Sequence, residues 1–350
     1  MQKGAATVAQ LEEFDEIIDA RTPAEFAEDH IPGAVNLPVL DNEQRIVVGT
    51  MYKQQSPFEA RRIGGAMVAE NIARHVYGYM QGKPKRWRPL LYCWRGGQRS
   101  GAFTTWLRMI GWDAHQLVGG YKTFRHHVIA TVEQLTPQLQ MRVVCGATGS
   151  GKTRVLEALA RQGAQVLDLE DLAAHKGSVL GALPSRDQPA QKAFETAIYD
   201  RIRHFRTDQP VFVEAESRKI GRLHLPEALI EHMRRSPCVA IDATPEARLA
   251  FLVRDYAYLG DDVTALCRNI ERLRGLQSNE TLSRWLDLAR SGQLETLFGE
   301  LIALHYDPLY QRSQGGNFVT LSSAPRILVD DLSPAGVEAA AQRILSALPT

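Results

Sequence analysis

The stretch MRVVCGATGSGKTRVLEALA, residues 141–160, decides how the second half of the chain folds. Its apolar start indicates a strand, the glycines that follow indicate a turn, and the apolar spacing after residue 152 indicates a helix. The turn fits the phosphate-binding pattern GxxxxGK[ST] at every fixed position. The candidate phosphate-binding residues are Gly146, Gly149, Ser150, Gly151, Lys152 and Thr153. In such a loop, backbone N–H groups and the helix N-terminus surround phosphate oxygens, the lysine reaches an outer phosphate, and the threonine can ligate Mg²⁺.

Further strand patterns follow this loop, at 166–173, 211–217, 238–243 and 326–331, and helical patterns separate them, the longest over 245–299. Strands that alternate with helices favour a parallel sheet covered on both faces. Candidate pocket residues opposite the phosphate loop are Glu214, Glu216, Arg218 and His175. An acid at the end of a neighbouring strand is typical of Mg²⁺–ATP sites. Two glutamates there leave open both ATP and another ligand that carries a pyrophosphate.

A second loop, in LYCWRGGQRSG at 91–101, places a cysteine between a predicted strand at 89–92 and a predicted helix at 100–110. The loop has the form C-x5-R. Its candidate residues are the nucleophile Cys93 and the anion-binding Arg95, Gly96, Gly97 and Arg99. We expect backbone N–H groups to converge on an anion and Arg99 to hold it by a forked contact. The same field favours the thiolate form of Cys93, which is the nucleophilic form.

The N-terminal third resembles rhodanese domains. IIDARTPAEFAEDHIPGAVNLP at 17–38 is similar to their opening signature and LVGGYKTFR at 117–125 to their closing turn, with an insertion between residues 38 and 89. The resemblance implies a rhodanese-like domain over 1–137, followed by a P-loop NTPase-like parallel α/β domain over 138–350 with a helical C-terminal part. The C-x5-R length is that of phosphatases related to rhodaneses and exceeds that of plain sulfurtransferases. It suggests an anion larger than the substrate of simple sulfur transfer.

Four segments together resemble the bacterial tRNA 2-selenouridine synthases over nearly the whole chain. They are CWRGGQRSG (93–101), GATGSGKT (146–153), LDLEDLAAHKGSVLG (167–181) and VFVEAESRKIG (211–221). The resemblance implies conversion of wobble 2-thiouridine in tRNA to 2-selenouridine with selenophosphate. It also implies an S-geranylated intermediate made from geranyl diphosphate. Cys93 would then receive selenium as a perselenide-type adduct, and the 146–153 loop would hold the pyrophosphate. The metal is not identified by the sequence, although Mg²⁺ fits, and a selenophosphate-supplying protein is a further candidate partner.

Two basic stretches that contain an aromatic residue, KPKRWR at 83–88 and RIRHFR at 201–206, are candidates for tRNA binding. Lysine and arginine can contact phosphates, and an aromatic ring can stack on a splayed base. The candidate tRNA contacts are Lys83, Lys85, Arg86, Trp87, Arg203 and Arg206.

The composition excludes two classes of protein. The chain has 350 residues, 44% of them hydrophobic, and 41 basic side chains against 40 acidic ones, so it is neither a disordered tail nor a uniformly basic nucleic-acid coat. Acidic residues interrupt the N-terminus where a signal peptide needs an apolar core. The four cysteines lie far apart without a CxxC pair, which favours free thiols. We therefore expect a cytoplasmic protein with no membrane partner.

Two other functions fit parts of the pattern. One is a C-x5-R phosphatase or sulfurtransferase fused to a small-molecule kinase-like P-loop domain, although such phosphatases usually place His before the cysteine and this chain has Tyr92. The other is a non-catalytic anion sensor with an ATP switch. The presence of Cys93, Arg99 and Lys152 together disfavours the sensor, and vigorous ATP hydrolysis would favour either alternative.

Overall fold

Two parallel sheets organise the chain, one in each of two units. The computed structural model describes residues 4–178, 180–183, 185–310 and 317–347. The first unit extends up to Thr131 and includes the segment Ala190–Asp200, and the second comprises Val132–Pro189 and the chain from Arg201 onward. A boundary near residue 137 is what the sequence predicts, whereas nothing in the pattern predicts that the segment Ala190–Asp200 belongs with the first unit.

The first sheet has the order β1-β5-β4-β2-β3, and all its pairings are parallel. Its strands are β1 (Ala5–Ala6), β2 (Glu16–Asp19), β3 (Val35–Asn36), β4 (Pro89–Tyr92) and β5 (His115–Leu117). The helices of this part of the chain are α1 (Pro23–Glu28), α2 (Asn42–Gln54), α3 (Pro57–Tyr77), α4 (Gln98–Ile110) and α5 (Gly120–Leu135). All four residues of β4 are buried, as expected for a central strand covered on both faces. The nucleophile loop leaves the carboxyl end of this strand.

The opening signature of the first unit forms a buried ion pair. Arg21 donates to Asp19 with a shortest N–O distance of 2.6 Å, and both side chains are almost fully buried. The Arg21 guanidinium also lies 3.9 Å from the centre of the Tyr121 ring. Arg21 therefore joins the opening signature to the closing turn, which brings these two segments of the sequence together around one charge pair.

The second sheet has the order β12-β11-β6-β8-β7, again parallel throughout. Its strands are β6 (Gln140–Gly146), β7 (Gln165–Leu167), β8 (Pro210–Glu214), β11 (Cys238–Ala243) and β12 (Arg326–Val329), and a separate antiparallel pair joins β9 (Lys219–Ile220) and β10 (Leu223–His224). The phosphate loop follows the central strand β6. It therefore lies at the sheet edge where ligands bind in open parallel sheets, and the predicted parallel α/β fold is confirmed.

Helices cover the second sheet and build the helical C-terminal part. They are α6 (Lys152–Arg161), α7 (Leu169–Ala173), α9 (Glu227–Arg235), α10 (Pro245–Asp255), α11 (Val263–Glu271), α12 (Asn279–Arg290), α13 (Leu294–Leu301) and α14 (Pro334–Ala347), and α13 continues as a π-helical turn, Ile302–Tyr306. The helix α8 (Gln191–Ile202) lies mostly in the first unit. Trp285 on α12 is fully buried in the core that these helices share with the sheet. No helix among the described residues is long and apolar enough to cross a membrane.

One strand prediction, over 166–173, is wrong in its second half. The strand ends at Leu167, and Asp168 caps the helix α7 by accepting a hydrogen bond from the backbone N–H of Asp171 at 2.8 Å. An aspartate favours such a cap over continuation of a strand. The consequence for the site is that Glu170 lies on a helix.

Most of helix α8 belongs to the first unit, where it contributes to a buried polar network. Asp29 accepts hydrogen bonds from Tyr121 (2.7 Å) and from Thr196 (2.9 Å). Arg125 donates to Thr196 at 2.8 Å and pairs with Glu195. Buried polar groups need such partners. The side chains of α8 therefore provide hydrogen-bond partners to Asp29 and Arg125. A chain that ended at residue 137 would lack these partners.

Candidate active sites

The first candidate site is the loop between β4 and α4, which surrounds the thiol of Cys93. The side chain is 3% exposed, and its Sγ accepts hydrogen bonds from the Gly97 N–H (3.3 Å) and from the Ser100 hydroxyl (3.1 Å). Gln116 donates to the Ser100 oxygen at 2.9 Å and so orients that hydroxyl toward the sulfur. The loop therefore directs two hydrogen-bond donors at the sulfur. Ser100 has this role although the sequence pattern points only to the residues before it.

Arg99, predicted to hold an anion, makes its forked contact with Glu25 in this structure. The two N–O distances are 2.6 and 3.1 Å. Burial raises the pKa of Glu25, but the hydrogen bonds and charge of Arg99 outweigh it, so the pKa lies below its ordinary value. Glu25 also caps α1 together with Thr22. An ionised carboxylate therefore fixes Arg99 beside the loop, a role that the sequence does not reveal.

The glycine turn before α5 fastens the nucleophile loop from behind. The backbone N–H of Tyr121 donates to the Cys93 carbonyl at 2.9 Å. A Cβ atom at Gly120 would overlap that carbonyl oxygen and the backbone nitrogen of Gly96. Gly96 itself has φ +62°, and a Cβ there would lie 2.7 Å from the Leu117 carbonyl oxygen. These close approaches explain why the loop and the turn both need glycine.

The second candidate site begins with the phosphate-binding loop after β6. Gly149 and Gly151 have φ of +83° and +72°, in the left-handed region that glycine favours. Lys152 folds back and donates to the Gly146 carbonyl at 3.0 Å. The Ser150 side chain is 1% exposed, and its hydroxyl has no hydrogen-bond partner within the described ranges. The loop has the conformation expected of a phosphate cradle, with a lysine free to exchange a carbonyl for a phosphate oxygen.

Three glutamates converge beside this loop, and the sequence singles out only two of them. Side-chain oxygens of Glu170, Glu214 and Glu216 all lie within 4.8 Å of one another. Thr153 donates its hydroxyl to Glu170 at 2.9 Å. Glu214 is fully buried, and neither of its oxygens has a hydrogen-bond partner within the described residues. The backbone at Gly177 packs directly against these carboxylates, because a Cβ atom at this position would overlap an oxygen of Glu170.

The environment of these glutamates opposes their ionisation. Burial, followed by the charge of Glu216, raises the pKa of Glu170 to about 8, and burial with the charge of Glu214 raises that of Glu216 to about 8. Burial and the charge of Glu170 raise the pKa of Glu214 well above its ordinary value. Lys152 acts in the opposite direction on all three. Three carboxylates that are this close and this poorly solvated suit a divalent cation with a preference for oxygen ligands.

A cavity of about 850 Å³ extends from the phosphate loop. Its lining combines Lys152 and Glu216 with apolar and aromatic side chains from α10 and the C-terminal part of the unit, among them Phe251, Leu252, Tyr256, Leu309 and Phe318. The cavity thus offers both anion-binding groups and apolar surface.

The HKGS segment at 175–178 lines this cavity, as expected of a turn placed over a ligand. His175 is 9% exposed, and burial lowers the pKa of its imidazole, with the charge of Arg272 acting in the same direction. Lys176 pairs with Asp255 at 2.5 Å, and its ammonium lies 4.2 Å from the centre of the Tyr256 ring. The segment is therefore attached to the end of α10 by an ion pair.

Two predicted contacts do not reach the surfaces assigned to them. Arg218 is exposed, makes a forked ion pair with Glu227 at 2.6 and 2.8 Å, and is not among the residues that line the cavity. Trp87 is 3% exposed and packs edge-on against Trp112, so it belongs to the core of the first unit and cannot stack on a base. Trp87 is buried in the core although charged residues flank it in the sequence.

The basic residues of the two predicted tRNA stretches have different surroundings. Lys83 pairs with Glu16 at 2.8 Å, whereas Lys85 and Arg86 are exposed. Arg206 is exposed and pairs with Asp208 at 2.8 Å, and Arg203 is partly buried. Lys85 and Arg86 therefore offer the most accessible positive charge of the first stretch.

An arginine on α10 supports the phosphate loop. Arg248 is 7% exposed, donates to the Thr148 carbonyl at 2.9 Å, and pairs with Asp307 at 2.6 Å. Its guanidinium joins the loop to the segment that follows the π-helical turn. Arg248 acts behind the phosphate site, in contrast to the lid arginines of small kinases.

The family described as tRNA 2-selenouridine synthase AAA domain matches residues 139–290, and the family described as Rhodanese-like domain matches residues 5–127. The tRNA 2-selenouridine synthase of Alcanivorax borkumensis is 34% identical, and the match covers 84% of this chain and 88% of that protein. That of Marinobacter nauticus is 32% identical, covering 90% and 93%.

A further relative, the tRNA 2-selenouridine synthase of Nitrosomonas europaea, is 37% identical over 69% of this chain. That match spans 63% of the relative's own length. Among solved structures, an N-terminal domain from Clostridium difficile 630 is 33% identical, with a TM-score of 0.32, covering 35% of this chain and 98% of that domain.

Proposed function

The chain belongs to the tRNA 2-selenouridine synthase family, and from that premise we propose that it replaces the sulfur of wobble 2-thiouridine in tRNA with selenium from selenophosphate. We propose further that the sulfur is first geranylated by geranyl diphosphate. The names of relatives that match most of the chain support the modification of tRNA. The two co-substrates are supported by the chemistry of the two sites.

The observation that carries the geranyl step is the lining of the second cavity, which combines a phosphate-binding loop with apolar side chains. A prenyl diphosphate has the same combination, because a charged pyrophosphate is joined to a hydrocarbon chain. Phe251 and Leu252 offer apolar surface to the chain, while the loop from Gly146 to Thr153 offers backbone N–H groups to the pyrophosphate.

In the geranyl step the sulfur of 2-thiouridine attacks C1 of the geranyl group. The C1–O bond breaks, pyrophosphate leaves, and the base loses its N3 proton, so the product is neutral at the ring. Lys152 can exchange the Gly146 carbonyl for an oxygen of the departing pyrophosphate and so stabilise the charge that develops there.

The glutamate cluster fits Mg²⁺ in this site because it offers closely spaced, poorly solvated carboxylates and no nitrogen or sulfur ligand. Thr153, Glu170, Glu214 and Glu216 would hold the ion. When bound, it would neutralise part of the pyrophosphate charge.

In the selenium step the geranylated sulfur is the leaving group. Selenium of selenophosphate attacks C2, so that a C2–Se bond forms, the C2–S bond breaks, and geranylthiolate departs, which is a better leaving group than the sulfur of the unmodified thiouridine. Water then cleaves the P–Se bond and phosphate is released, while selenium keeps its oxidation state throughout. We assign selenium handling to Cys93, because its Sγ receives two hydrogen bonds at a loop whose length suits a phosphate-sized anion. The two steps would therefore use different anion sites.

Mass spectrometry of nucleosides from thiolated tRNA, incubated with the protein, selenophosphate and geranyl diphosphate, tests the proposal. We expect selenouridine with the wild type, geranylated thiouridine without selenouridine in Cys93→Ser, and neither in Lys152→Ala. Supplied with tRNA that is already geranylated, Lys152→Ala should form selenouridine. Failure of that rescue while geranylation persists would contradict the division of labour. Unchanged thiouridine with the wild type, together with vigorous ATP hydrolysis, would favour a phosphatase–kinase fusion.

A further inference from the structure

The nucleophile loop presents one large aromatic side chain to solvent, directly beside the buried thiol. Trp94 is 37% exposed, whereas the adjacent Cys93 is 3% exposed. The loop therefore carries an exposed aromatic ring on the residue that follows the buried thiol.

Contacts within the first unit hold this ring in place. The Trp94 ring centre is 5.4 Å from that of Tyr121, which is 2% exposed. The Trp94 carbonyl accepts a hydrogen bond from the Lys122 N–H at 3.0 Å. The Lys192 ammonium lies 5.7 Å from the ring centre and pairs with Glu28 at 2.8 Å. A ring anchored on both its backbone and its edge loses little conformational entropy when a ligand covers its exposed part.

The chemistry at Cys93 needs such a surface. A base whose C2 atom is to reach a thiol that is only 3% exposed must leave the stack of its neighbours in the anticodon loop. The stacking that is lost costs free energy unless another flat ring replaces it. An aromatic ring one residue from the sulfur can replace it and also fix the plane of the base.

We propose that Trp94 is the stacking platform for the substrate nucleobase at the Cys93 loop. This inference rests on the proposed function, that the chain acts on a base in tRNA. Arg95, which is exposed on the same loop, is placed to contact a phosphate that flanks the stacked base. Trp94 is a positioning residue, because it orients the base and takes no part in bond making.

The chain offers a matched control. Trp106 lies on α4 of the same unit and is 46% exposed, but it lies outside the loop. If any exposed tryptophan of this unit strengthened RNA binding by general apolar contact, Trp106→Ala would have the same effect as Trp94→Ala. A platform specific to the substrate base predicts an effect at Trp94 alone.

The experiment is a binding cycle between protein and RNA, measured without co-substrates. One anticodon stem–loop RNA carries 2-thiouridine at the wobble position, and a second carries an abasic site there. We expect the wild type to bind the first RNA about tenfold more tightly, the usual order for one stacked base. Trp94→Ala and Trp94→Leu should bind the two RNAs equally, Trp94→Phe should keep most of the preference, and Trp106→Ala should keep all of it.

The outcomes separate this inference from the proposed function. If Trp94→Ala and Trp94→Leu keep the tenfold preference, or if Trp106→Ala loses it to the same extent, the platform is elsewhere. A wild type that binds both RNAs equally would also overturn the inference, while its ability to make selenouridine could stand. A wild type that binds neither RNA and makes no selenouridine would overturn the proposed function itself.

Discussion

The hydroxyl of Ser100 is the smallest group on which the proposed chemistry of the first site depends. It donates to the sulfur of Cys93 and is itself oriented by Gln116. Removing one partner of a buried hydrogen bond leaves the other partner without the interaction that held it in place. The reactivity of the thiol should therefore respond to the loss of one oxygen atom.

We predict that Ser100→Ala lowers the rate of selenouridine formation about tenfold, the order expected for the loss of one buried hydrogen bond. Geranylation should continue at the wild-type rate, since the second site is intact. Thr105→Ala, which removes an exposed hydroxyl from the same helix, is the control. Equal rates in the two variants, measured by nucleoside mass spectrometry over time, would show that Ser100 does not act on the thiol.

The three glutamates of the second site predict a dependence of stability on pH. Burial and mutual repulsion raise the pKa of Glu170 and Glu216 to about 8, while an unfolded glutamate titrates near about 4.3. Between these values the folded chain binds more protons than the unfolded chain, so the free energy of unfolding falls as pH rises. Burial lowers the pKa of His175 and of His305, which produces the opposite trend only on the acid side.

In metal-free buffer we therefore expect the free energy of unfolding to fall between pH 7 and pH 9, by on the order of 1 kcal/mol for each of the two carboxyls. Glu216→Gln should flatten this fall, and Mg²⁺ should reverse part of it in the wild type. Glu246→Gln, an exposed position on α10, is the control. Chemical denaturation at each pH checks the prediction, and parallel curves for wild type and Glu216→Gln would contradict it.

At the scale of elements, the glycine turn before α5 shows how one element restricts another. Gly120 has φ +59°, and its Cβ position is occupied by the nucleophile loop. Gly33 also has a positive φ, +76°, but nothing lies within 4 Å of its Cβ position. Substitutions at Gly33 and Gly120 therefore distinguish two effects on stability. Gly33 tests only the left-handed backbone conformation, whereas Gly120 also tests the steric overlap.

We predict that Gly33→Ala destabilises the chain by about 1 kcal/mol, the usual cost of a left-handed alanine. Gly120→Ala should cost several times as much, or should displace the nucleophile loop and abolish selenouridine formation, because carbonyl and amide atoms cannot move aside cheaply. Thermal unfolding together with the selenouridine assay checks both. Similar unfolding temperatures with full activity in both variants would rule out the close approach.

The elements also show which features a sequence can predict. Strands such as β4 and β11 are short apolar runs between polar turns, and periodicity predicts them to the residue. The end of β7 depends on the side chain of Asp168, which competes with the strand by capping a helix, and so Glu170 is absent from the predicted site. Motifs with fixed spacing predict both anion loops. Ion-pair partners from distant segments, such as Glu25 for Arg99, cannot be predicted in this way, because no local sequence pattern marks them.

At the scale of the whole molecule, the net charge is only +1, so a surface that binds tRNA must come from a local concentration of basic side chains. Of the stretch at 83–88, Lys85 and Arg86 are exposed, while Lys83 is committed to Glu16 and Trp87 to the core. The stretch looks uniformly basic in the sequence, but burial and ion pairing leave only some of its side chains accessible to tRNA.

We predict that Lys85→Gln with Arg86→Gln weakens tRNA binding and lowers the slope of log K against log salt by about one to two, as expected when one or two phosphate contacts are lost. Adding Lys83→Gln should change the slope little, and Lys83→Gln alone is the control. Fluorescence titrations of tRNA at several salt concentrations measure the slopes. An unchanged slope in the double variant would remove this stretch from the tRNA surface.

The segment Ala190–Asp200 has a consequence for inheritance and engineering. Because its Glu195 and Thr196 complete the polar network of Arg125 and Asp29, the first unit is encoded by two stretches of the gene that flank part of the second. A single crossover could not transplant this unit intact into another protein, and a clone that ends near residue 137 would leave a buried arginine and aspartate without their helix. An intact first unit therefore requires residues from both sides of the phosphate-binding loop.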